Sequence, residues 1–175
     1  LNIWKKVNEL GEEFNIHGFT FDSDGAGFIN HNYRIEKGDE KEIPKLLWEK
    51  SKEHYGKEYY LKTEGELTKK ILNDGEYTLI PDNHWLWFFV TSNWDVYPNF
   101  MGPAPWWKLG NLKEDNWKKI VDNYKYNNNL GLKVMTKISA KELAERYGNI
   151  NGEKLFNTES QLIEYWIGKY CREHY

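Results

Sequence analysis

The longest unbroken apolar run in the chain is Trp85-Leu86-Trp87-Phe88-Phe89-Val90. It suits a strand and falls far short of the ~18–20 residues that span a bilayer. Successive strand residues point to opposite faces. Leu86, Phe88 and Val90 therefore line one face, and Trp85, Trp87 and Phe89 the other. A strand apolar on both faces is covered on both sides. The segment 84–91 is expected to be a central strand in a layered fold.

The surrounding sequence supports that placement. Residues 71–111 carry only Asp74, Glu76, Asp82, Asp95 and Lys108 as charged groups, yet hold four of the five prolines and five of the nine tryptophans. Residues 36–70 are dense in Lys and Glu, the pattern of solvated helix faces. The centre of the sheet is expected at 77–97.

Helical spacing of Ile3, Trp4, Val7, Leu10 and Phe14 predicts a helix over 2–14. Alternation on either side of Asp22-Ser23-Asp24-Gly25 predicts a hairpin over 16–35. A helix is expected over 41–55, with Pro44 in its first turn, and a short strand at Tyr59-Tyr60-Leu61. Thr63 with Glu66 forms a capping-box pattern for a helix over 64–73 that Asn73-Asp74-Gly75 closes. Turns at Asp82-Asn83 and Ser92-Asn93 would join 76–81, 84–91 and 94–97 into a meander. Asn111 with Glu114 predicts a helix carrying Trp117, Ile120, Val121 and Tyr124. Leu130, Leu132 and Val134 alternate, so 130–138 is expected as a strand. Ser139 with Glu142, and Thr158 with Gln161, open the last two helices. The last carries the stripe Leu162, Ile163, Trp166, Ile167 and Tyr170.

Hairpins rather than regular βαβ units predict an α+β fold. Its antiparallel sheet is built from hairpins and a meander, with about five to six helices around it. At 175 residues the whole chain, 1–175, is expected to form a single domain.

A net charge of −3 disfavours a nucleic-acid partner, since such proteins carry a basic face and a pI above ~9. The lone Cys171 permits no intramolecular disulfide. Leu1-Asn2-Ile3-Trp4-Lys5-Lys6 lacks the apolar core of a signal peptide. The expected compartment is cytoplasmic, with no membrane association.

No motif names a reaction, and no cofactor is expected. His17, Asp22, Asp24 and His31 have metal-ligand chemistry, but hairpin geometry sets His17 about 16 Å from the acids and turns His31 to the other face. No metal site is expected. Glu64 and Glu66 read as helix-start residues. Cys171 and His174 stand three apart on the last helix, with nothing to lower the thiol's pKa. His84 and Asp95 are the weak catalytic candidates, an acid–base pair if the meander brings them together. Whether the chain is an enzyme stays open, with a non-enzyme preferred.

The loop 98–107 sets Phe100, Met101, Trp106 and Trp107 among Gly and three prolines. Stiff aromatic loops make interface hot spots. The other fate of such a loop is to fold back as core. The two fates part on Trp107→Ala, which would abolish binding at unchanged melting temperature in the first case and lower that temperature sharply in the second. The leading reading is a small protein-binding protein, an inhibitor, immunity or anti-defence factor. Its anchors would be Phe100, Met101, Trp106 and Trp107, joined by Trp94 and Tyr97. The same aromatics would serve a homo-oligomer. The alternative is a carbohydrate-binding or glycan-processing protein, or an enzyme with an unrecognised site.

Overall fold

Thr63 starts a helix as its spacing predicts. Its hydroxyl accepts from the Glu66 N–H at 3.1 Å, and the Glu66 carboxylate accepts from the Thr63 N–H at 2.8 Å. In the computed structural model, which describes residues 34–42, 62–79, 88–98, 103–156 and 158–175 with Glu9, Lys45 and Glu49, this helix, α1, spans Glu64–Asp74. Gly75 ends it by donating its N–H to the Ile71 carbonyl.

Just before α1, strand β1 (Lys62–Thr63) pairs antiparallel with β5 (Leu155–Phe156). Residues 35–36 extend this pairing: the Leu155 N–H donates to the Ile35 carbonyl, and Glu36 bridges to Lys154.

A second sheet is antiparallel in the order β2 (Phe88–Val90), β3 (Asp95–Pro98), β4 (Gly110–Asn111). A short 3-10 turn, Pro105–Trp107, connects β3 to β4. Helices α2 (Trp117–Lys125), α3 (Leu130–Lys137) and α4 (Ala140–Tyr147) follow, and α5 (Glu159–His174) comes after β5. Helix and antiparallel sheet are thus mixed in one chain, as an α+β fold requires.

Helix α1 packs on α4 and α5, and α5 also packs on α3 and α4. The stripe on α5 is buried as its spacing predicts: Leu162, Ile163, Trp166 and Ile167 lie in the core. That core joins both halves, running from Leu67 and Ile71 of α1 to Val96 of β3 and Ile120 of α2.

Several expectations need correction. Residues 130–137 are helix α3, not a strand. Leu130, Leu132 and Val134 fit an alternating pattern, but the buried set is Gly131, Leu132, Val134 and Met135, which is helical spacing. Asn129 decides between them, because its side-chain oxygen accepts from the Leu132 N–H at 2.7 Å and caps the helix. The preceding Asn127, at φ 53°, makes the left-handed break before it. Asn111 and Glu114 form a turn rather than a helix start, and α2 begins at Trp117 under an Asn116 cap.

The expected meander is also displaced. Among the described residues β3 is paired on both sides, by β2 and β4, and residues 84–87 of the expected central strand lie outside them. Residues 76–79 form no strand and instead lie along the start of α4, where the Ala140 N–H donates to the Tyr77 carbonyl. The expectations at 2–14, 59–61 and the Asp82-Asn83 turn lie outside the described residues, as do nearly all of 16–35 and most of 41–55.

Among the described residues, no helix is long and apolar enough to cross a membrane.

Candidate functional site

The described end of the loop, residues 103–107, closes onto the core. Trp107 is 1% exposed and Trp106 7% exposed, and Tyr97 is buried with them. The Trp107 ring lies against the first turn of α3 at Gly131. Asn129 fixes the neighbouring backbone by donating to the Trp107 carbonyl at 3.0 Å. Trp106 meets Tyr175 edge to face, with centroids 6.4 Å apart. Of the six aromatic-surface candidates, Trp106, Trp107 and Tyr97 are therefore core side chains in this conformation. Phe100 and Met101 lie outside the described residues. Trp94 is the sixth, and it is 46% exposed.

Trp94 sits at the tip of the β2–β3 hairpin. The Trp94 N–H donates to the Thr91 carbonyl at 2.9 Å, and the Thr91 N–H donates to the Asp95 carbonyl at 3.0 Å. That is a three-residue loop, Ser92-Asn93-Trp94, rather than the expected two-residue turn. Such loops place their last residue in the left-handed region, where Gly is the usual choice. Trp94 takes φ 69°. A side chain there costs roughly 1–2 kcal/mol, and for a bulky residue the conformation is an outlier.

A polar hub holds the hairpin in place. Asn111 donates its side-chain amide to the Asn93 carbonyl at 2.9 Å and to Asp95 Oδ1 at 2.7 Å. Its own side-chain oxygen accepts from the Lys113 N–H at 2.9 Å. Lys108 Nζ lies 2.6 Å from Asp95 Oδ1. On the far side, Asp115 accepts from the Asn111 N–H at 2.9 Å and pairs with Lys119 at 2.6 Å. Asn111 is buried, so Asn111→Ala strands several of these groups. It should cost about 1–3 kcal/mol, read as a lower urea midpoint at unchanged slope.

The Lys108 ammonium, and then the Asn111 amide, hold the Asp95 carboxyl below its usual value, while Asp95 raises Lys108. A carboxylate held ionised by two donors is poorly suited to general-base work near neutrality. His84, its suggested partner, lies outside the described residues.

Because the folded pKa of Asp95 is depressed, its contribution to stability is fully present above the unfolded value of 3.8 and is lost as pH falls through the lower folded value. Urea unfolding of wild type and Asp95→Asn should show a constant gap above about pH 5 that closes below pH 3. A gap independent of pH would contradict the pairing.

Cys171 is fully buried in apolar surroundings, which push its thiol up to about 12 and leave it inert. Glu66 is a capping residue, as its spacing predicts. Glu64 opens α1 and is buried. Among the described residues no group of three His, Cys, Asp or Glu is placed to hold a metal ion. His17, Asp22, Asp24 and His31 lie outside them.

Apolar side chains are also exposed near the hairpin. Phe89 and Val90 of β2, the strand that leads into the loop, are exposed, and so is Trp117 of α2. Phe88 packs edge to face on Trp117, with centroids 5.2 Å apart. Sequence reasoning named Trp94, but not Phe89, Val90 or Trp117 as surface groups.

Comparison with protein-family models, with curated proteins and with solved structures finds no match to this chain.

Proposed function

We propose that the chain is a protein-binding protein, of the inhibitor or immunity kind, and that Trp94 is its presented anchor. The observation that carries this reading is the exposed indole at φ 69°. Backbone strain persists where the surroundings over-determine it, and it concentrates at functional sites. The hub around Asn111 supplies that over-determination. Trp is enriched among the hot spots of protein interfaces, and the exposed Val90, next to the loop in β2, would extend the apolar surface.

Affinity capture from lysate of the source cells tests the reading. Wild type should retain one protein that Trp94→Gly loses, with both chains equally folded by circular dichroism. Retention by Trp94→Gly would overturn it. A shift in tryptophan fluorescence with millimolar oligosaccharide, absent in the same variant, would instead favour the carbohydrate reading.

A further inference from the structure

The charge beside Trp94 is arranged asymmetrically. Lys108 and Lys119 are each spent on a carboxylate, Asp95 and Asp115, and both acids are also held by Asn111. Lys113 is different. It is exposed, and its ammonium lies over the Trp94 ring, 5.4 Å from the centroid. Among the described residues it meets no carboxylate within ion-pairing distance. One cation without an acid partner therefore rides on the one indole that the hairpin presents.

We infer that the protein partner places a carboxylate on Lys113 next to an apolar group on Trp94, so that its contacting segment is acidic and apolar together. This rests on the reading of Trp94 as the protein-binding anchor. The one ammonium that lies over the Trp94 ring suits one Asp or Glu side chain. A nucleic-acid backbone needs several phosphates neutralised at once, and the net charge of −3 opposes its approach. Exposed charge at an interface rim acts through complementarity and screens with salt.

The test is titration of the full chain with a random glutamate–tyrosine copolymer, read by tryptophan fluorescence excited at 295 nm and by calorimetry. Parallel titrations use polylysine and a thymidine oligonucleotide. Wild type should bind the copolymer and not polylysine. Trp94→Gly should lose binding, Lys113→Glu should weaken it by about tenfold or more, Lys113→Gln by less, and 0.5 M NaCl should weaken wild type toward the Lys113→Gln level. No binding of the copolymer, equal binding by wild type and Lys113→Glu, or tighter binding of the oligonucleotide would each overturn the inference. Failure here with capture still lost in Trp94→Gly would leave the protein-binding reading standing. Capture retained by Trp94→Gly would remove both.

Discussion

Trp107→Ala is expected to cost about 3–5 kcal/mol of unfolding free energy. For a chain of this size that is a drop of about 6–20 °C in melting temperature. The indole is 1% exposed and fills the space between the Pro105–Trp107 turn and α3. Gly131 of α3, whose backbone lies against the ring, has no side chain to fill the space left. Its Nε1–H has no hydrogen-bond partner among the described residues. Trp107→Phe therefore loses volume but no hydrogen bond, and should cost clearly less than the alanine. Thermal unfolding of the three chains checks the order. A melting temperature unchanged in Trp107→Ala would mean that the loop does not close on the core.

The second large effect is reciprocal. A Cβ added at Gly131 would stand 2.2 Å from Trp107 Cε3, well inside contact distance. Neither side can yield easily, because Gly131 is in the first turn of α3 and the ring is enclosed. Gly131→Ala should therefore cost about 3 kcal/mol, at the upper end for overpacking. Its sign should reverse once the ring is gone. In a Trp107→Ala background the added methyl meets vacated space, and alanine is about 1 kcal/mol better than glycine in a helix. The double variant should thus be more stable than Trp107→Ala alone. Adjacent sites that share a contact are expected to couple in this way. Additive losses in urea unfolding would show that residues 107 and 131 do not touch.

What the sequence disclosed depended on how local its determinants were. The capping pairs Thr63–Glu66 and Ser139–Glu142 are each read within four residues, and both form as expected. The stripe on α5 is long enough to fix its period. Residues 130–137 are too short for that, so Leu-Gly-Leu-Lys-Val satisfied alternation and helical spacing alike. The choice was made by the Asn129 cap and by the packing of Trp107 on Gly131, the latter a contact between residues far apart in sequence. The same non-local term left the reading of the 98–107 loop open between its two fates. Prolines and aromatics describe a stiff apolar segment, but not which way it faces. Trp106 and Trp107 face inward because α3 and Tyr175 meet them there. Trp94 was named among the candidates for its chemistry. Its left-handed backbone became visible only with the Thr91–Trp94 and Thr91–Asp95 hydrogen bonds.

If Trp94 is held out for a partner, its strained, exposed position is one that the stability of the fold does not require. The most direct test is urea unfolding of Trp94→Gly beside wild type and Trp94→Ala. Glycine relieves the left-handed strain, so Trp94→Gly should match or exceed wild type, and Trp94→Ala should fall below Trp94→Gly by about 1 kcal/mol. A loss of several kcal/mol in Trp94→Gly, comparable to that of Trp107→Ala, would show that Trp94 serves the core and is not held out for a partner.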